Sequence, residues 1–135
     1  LEIYGAVGTD NASTNEVDNQ IIGAKFTYGG ATIGIQSNEA DSAAANGDEE
    51  FMAWGISYAV SEDMSVSYNS SSIDYETASI DDQEATGISA SYTMGSMTLA
   101  GVLNKVDNEG TAGATGANNT NRNSETFEVN LSFAF

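Results

Sequence analysis

The chain has 135 residues, with 3 Lys+Arg against 20 Asp+Glu and a formal net charge of -17. That balance excludes nucleic acid, whose phosphates are held by clustered Lys and Arg, and argues against docking on an anionic cytoplasmic leaflet. With no Cys and no His, there is no disulfide framework, no thiolate metal site and no His-based nucleophile pair.

Period-2 alternation begins at the first residue, and nothing competes with it at helical period. Residues 1–8, "LEIYGAVG", form the first predicted strand. A strand at the outset, with no initiating Met, basic n-region or apolar h-region, reads as a processed chain or a piece of a longer one. No segment approaches the ~18 consecutive apolar residues of a transmembrane helix. After a polar connection (9–19) come strands 20–28 and 31–37, separated by Gly29-Gly30, a two-residue hairpin signal. A second polar connection (38–50) leads to strands 51–60 and 64–75, joined by Ser61-Glu62-Asp63. A third (76–85) leads to strands 86–94 and 97–106, joined by Gly95-Ser96, and a fourth (107–125) leads to strand 126–135. The whole reads as one β-barrel segment of about eight strands, several near the ~9–11 residues a tilted membrane-spanning strand needs.

Tight and long connections alternate strictly. In an up-and-down antiparallel meander this puts all short turns at one end and all long polar loops at the other, the asymmetry of outer-membrane barrels. A Greek-key sandwich has no reason to alternate so. Strand parity agrees. One face collects Ile22, Ala24, Phe26 and Tyr28, then Met52, Trp54, Ile56 and Tyr58, and likewise along the other strands. The opposite face collects Gly23, Lys25, Thr27, Gln36, Ala53, Gly55, Ser57, Ser65 and Ser67. Tyr28, Tyr58 and Tyr92 each stand on the apolar face just before a tight turn, the place of an interfacial aromatic girdle. Well within the predicted strands only Glu2, Lys25 and Glu128 are charged, all with polar parity. With Gln36 and Asn130 they are candidates for the wall of a pore. The fold class expected is therefore all-β, an antiparallel up-and-down transmembrane β-barrel. A soluble acidic β-sheet adhesin domain is the alternative in which the apolar face would be a core.

The segments "GISASYTMGSMTLAGVLNKVDN" (87–108) and "VNLSFAF" (129–135) resemble the C-terminal half of general-diffusion porins of Gram-negative bacteria, particularly the alphaproteobacterial type. The aromatic-Thr-Met-Gly-Ser-Met-Thr-Leu hairpin and the terminal Phe carry the likeness. It implies a ~16-stranded, homotrimeric barrel in the bacterial outer membrane, in contact with lipid and lipopolysaccharide, passing small hydrophilic solutes and ions by passive diffusion. It also implies that Val129, Leu131, Phe133 and Phe135 form the signal read by the outer-membrane insertion machinery. About eight strands also suit a small closed barrel with a structural or adhesive role. However, such a barrel is filled by its own side chains, whereas the polar positions here are mostly Gly, Ala, Ser and Thr. The family's infolded constriction loop and its cluster of basic residues are not identifiable in this chain.

Acidic loops raise a calcium expectation, with Asp48, Glu49, Glu50, Asp81 and Asp82 as weak candidate ligands. No EF-hand spacing is present, and no other cofactor is implied. A softer form has the loops share divalent cations with lipopolysaccharide. The stretch 109–123, rich in Gly, Ala, Asn and Thr, reads as an external loop. Catalysis is not expected: Glu2 and Glu128, the acids on the polar face, are placed by the sequence near opposite ends of their strands.

Overall fold

Alternation in the sequence becomes eight antiparallel strands in a single sheet, in a computed structural model describing residues 1–11, 16–44, 47–77, 80–109 and 122–134. They are β1 (Glu2–Asp10), β2 (Val17–Tyr28), β3 (Ala31–Ser42), β4 (Glu49–Ala59), β5 (Met64–Tyr75), β6 (Gln83–Met94), β7 (Met97–Glu109) and β8 (Arg122–Phe133). Strand order follows chain order, so each strand pairs only with its sequence neighbours. β1 and β8 do not meet, and each leaves one edge unpaired among the described residues.

The tight turns follow from their residues. Gly29 and Gly95 take φ of 56° and 62°, the left-handed region that a primed hairpin turn requires of its first central residue. Each turn also bonds to the neighbouring strand: Ala59 N donates to Gly30 O, Thr93 N to Asp63 O and Ala134 N to Ser96 O, all at 2.8 Å.

At the other end the strands run further than the alternating segments do. β2 begins at Val17, β3 continues to Ser42, β7 to Glu109, and β8 begins at Arg122. These extensions are polar on both faces, so they carry no alternation from which a strand is read. They also contain Asp18, Glu39, Asp41, Glu50, Glu84 and Asp107. Charge is therefore excluded from the apolar face of the alternating stretches, not from strands as such. Near the top of β7 the register with β8 shifts between Val106 and Glu109. There Asn108 adopts φ 60°, a conformation Asn tolerates better than most residues, and its side chain donates to Asp82 O at 2.8 Å.

The register assigns every strand residue to one of two faces. Ile33 pairs with Phe26 and Ile56, and Ile88 with Tyr68 and Leu103, so the apolar parities coincide across the sheet. On β6 the polar-face residues Ala85, Gly87, Ser89 and Ser91 are buried or half-buried, while Ile88, Ala90, Tyr92 and Met94 opposite are exposed. On β4 Phe51, Ala53 and Gly55 are half-buried and Met52, Trp54 and Ile56 exposed. A sheet shields the inside of its curl, so the polar face is concave and the apolar face convex. No hydrophobic side chain is buried among the described residues.

The convex apolar belt has a definite height. In β4 it runs from Met52 to Tyr58, about 20 Å of strand at ~3.3 Å per residue. Its upper edge is Ile22 on β2 but Phe127 on β8, and the pairing row through Phe127 leads back to Phe26. Its lower edge is Tyr28 on β2 but Phe133 on β8, paired with Met97. Both edges drift the same way across the rows, which is what tilted strands produce when a horizontal band crosses them. Within the belt Trp54 and Tyr68 pack with ring centroids 5.3 Å apart.

Candidate functional site

Small polar side chains line the concave wall. Toward the tight turns it is a set of hydroxyl pairs facing each other across strands. Thr27 and Thr32 are 3.0 Å apart, Ser65 and Ser91 2.8 Å, Ser67 and Ser89 2.8 Å, and Thr93 and Thr98 3.0 Å. Each hydroxyl donates to or accepts from its partner and keeps lone pairs for water.

At mid-wall the β1–β2 register sets Glu2 opposite Lys25, and their side chains form an ion pair at 2.9 Å. One step further along, Tyr4 Oη donates to Gln36 Oε1 at 2.9 Å, and Gln36 Nε2 donates to Asn38 Oδ1 at 2.9 Å. Beside them is an open recess of about 390 Å³, bordered by Tyr4, Lys25, Gln36 and Asn69 and floored by Gly34 and Gly55.

All five candidate wall residues lie on the concave face: Glu2, Lys25 and Gln36 in β1–β3, and Glu128 and Asn130 in β8, paired with Val102 and Ala100. Glu2 and Glu128 are not at opposite ends of the sheet: the pairing row through Glu2 reaches Thr126 on β8, one concave position from Glu128. They stand on the two outermost strands, so they share no pocket. Tyr28, Tyr58 and Tyr92 are 80%, 50% and 47% exposed on the convex face beside the tight turns. Val129, Leu131 and Phe133 share that face at 62%, 52% and 54% exposure; Phe135 lies outside the described residues, as does most of the stretch 109–123.

The calcium candidates are not brought together. Asp48 Oδ1 accepts from Ser42 N at 2.8 Å and Asp82 Oδ1 from Tyr75 N at 3.3 Å, so both carboxylates fasten loops to strands. Glu49 and Glu50 are adjacent in β4 and point to opposite faces. Among the described residues no three acidic groups gather as a metal site would need. Lys105, on the convex face above the belt, pairs with Asp107 at 2.5 Å. The hydrogen bond to that carboxylate, then its charge and those of Glu125 and Glu84, raise the Lys105 pKa. Its ammonium therefore persists to more alkaline pH than that of a free lysine.

Tyr4 is the wall residue that the sequence did not single out. It shares the parity of Glu2, which is the signal available; the partners that hold it, Gly23 and Gln36, are visible only once β1, β2 and β3 are in register.

A convex apolar belt of one height, a concave hydroxyl-lined wall, and turns and loops segregated to opposite ends define the wall of a transmembrane β-barrel channel. The sequence matches the Gram-negative porin family over residues 1–135, and the chain belongs to that family. It is an outer-membrane porin, a channel protein of the bacterial outer membrane. No curated protein and no solved structure matches it.

Proposed function

We propose that the eight strands are one arc, the C-terminal half, of a wider barrel of ~16 strands that passes small hydrophilic solutes and ions as a homotrimer. The observation that carries this is the concave wall. Its Gly, Ala, Ser and Thr positions are too small to fill a closed eight-stranded barrel, whose interior admits only packed side chains. The edges of β1 and β8, which join no further strand among the described residues, support the same reading, because bilayers do not tolerate unsatisfied backbone edges. On this reading further strands cover them. Glu2, Lys25, Gln36, Glu128 and Asn130 then line the lumen, Tyr28, Tyr58 and Tyr92 form the periplasmic aromatic girdle, and the acidic loops share divalent cations with lipopolysaccharide. The reading needs no resident cofactor and no catalytic step. The full-length protein, reconstituted in planar bilayers, is expected to give stepwise conductances in groups of three. Correctly folded protein without channels would overturn the proposal.

The last strand has a second role in this reading. Val129, Leu131, Phe133 and Phe135 present an alternating apolar edge to the outer-membrane insertion machinery. Phe135→Ser is expected to lower the amount of folded porin in outer membranes while leaving the conductance of the surviving channels unchanged. Heat-modifiable protein in membrane fractions measures the first quantity and single-channel recording the second. Equal assembly of variant and parent would leave Phe135 with no role in recognition.

A further inference from the structure

Two of the described residues are buried, and both are glycines on the concave wall, Gly23 and Gly87. What buries Gly23 is the ring of Tyr4. A Cβ at position 23 would stand 2.5 Å from Tyr4 Oη and 2.7 Å from Tyr4 Cε2. The ring therefore lies flat on the β2 backbone, in space that only the absence of a side chain provides. Its hydroxyl reaches across β2 to Gln36 on β3 at 2.9 Å. Gly87 is covered in the same way by the carboxamides of Asn69 and Asn104, whose Oδ1 atoms lie 2.6 and 2.9 Å from the corresponding Cβ position. The Tyr4 ring and the Asn69 and Asn104 carboxamides are thus laid along the sheet, and the recess over Gly34 and Gly55 beside them is open.

We propose that Tyr4 determines the width of the channel at mid-wall, and that Gly23 and Gln36 are positioning residues that keep its ring out of the solute path. This rests on the concave wall being the wall of the porin channel. A tyrosine on a concave strand has two places to put its ring, along the wall or into the lumen. The stacking on Gly23 and the bond to Gln36 select the first. Any side chain at 23 removes the seat, and the ring must then swing toward the water-filled side, since the β2 backbone blocks the other direction. Pore diameter is a direct determinant of which hydrophilic solutes pass, so a displaced ring acts as a size filter.

The test uses the full-length porin in planar bilayers and in liposomes swelling with sugars of increasing size. Gly23→Val is expected to lower single-channel conductance and to slow sugar uptake, the loss growing with sugar size. Its cation-to-anion preference should match the parent's, because no charge has changed. Tyr4→Ala is expected to conduct at least as well as the parent, and Tyr4→Ala combined with Gly23→Val to restore what Gly23→Val loses. Restoration separates a displaced ring from a merely damaged strand. Where valine impairs assembly, Gly23→Ala meets the same ring with a single methyl and gives the same comparison. Parent-like conductance in the Gly23 variants, or a double variant as slow as Gly23→Val, would overturn the proposal. A parent that forms no channels would instead overturn the porin reading beneath it.

Discussion

Arginine in place of Ile56 is expected to prevent stable insertion, whereas arginine in place of Ser57, the next residue, is expected to insert normally and change only the current. Ile56 sits in the middle of the convex belt between Ile33 and Tyr68, and Ser57 faces the concave wall between Thr32 and Ser67. A guanidinium on the lipid face near the bilayer midplane costs about 2–4 kcal/mol, a value that falls toward zero at the interfaces. At Ser57 the same group meets water. Denaturant titration of protein folded into vesicles measures the first effect, and heat-modifiability in detergent gels reports it qualitatively. A graded series is also expected along β4, with arginine better tolerated at Tyr58, at the edge of the belt, than at Ile56. Equal tolerance at positions 56 and 57 would mean that the convex face does not meet lipid.

A preference for cations that fades with salt is the second expected result. Of the 20 acidic residues, only Glu2, Glu62, Asp63 and Glu128 lie away from the long-loop end of the sheet. Two of the three bases are already engaged, Lys25 with Glu2 and Lys105 with Asp107. A solute approaching from the loop side therefore meets a strongly negative collar before it meets the hydroxyl-lined wall. Single-sign clefts with low-dielectric walls raise local counter-ion concentration by about 10-fold or more at low ionic strength. The Debye length shrinks from ~10 Å at 0.1 M to ~3 Å at 1 M, short compared with a wide lumen. Reversal potentials under a KCl gradient should therefore favour K⁺ several-fold near 0.1 M and approach neutrality near 1 M. Replacing Glu49, which faces the concave wall at the loop end, with Gln should weaken the preference without altering assembly. A preference that survives 1 M salt unchanged would point to a narrow charged constriction and not to the collar.

Much of this protein was legible in its sequence, and the reason is geometric. Wherever one face of a strand meets lipid and the other water, period 2 is enforced, and residues such as Met52, Trp54, Ile56 and Tyr58 declare their face without any knowledge of their partners. The tight turns were legible for the same kind of reason: Gly29 and Gly95 occupy positions where the backbone leaves other residues strained. Legibility ended where the environment became symmetrical. Above the belt both faces meet water, so the strand extensions through Glu39, Asp41 and Glu84 follow no pattern, although the ladder continues through them. The heights of Glu2 and Glu128 depend on seven successive registers, which alternation alone does not fix. The seat of Tyr4 needs three strands aligned at once. The loop acids suggested calcium by composition; that Asp48 and Asp82 also fasten loops to strands is visible only in the structure.

The strictly sequential order of the strands also constrains how such a protein can change over generations. Removing or duplicating one strand would reverse the direction of every strand after it and send half the acidic loops to the wrong side of the membrane. Removing or duplicating two consecutive strands leaves every direction, face and loop assignment intact. Barrels on this plan can therefore drift wider or narrower only by whole hairpins, and each such step keeps a working wall. The even strand number is inherited as arithmetic and needs no selection of its own.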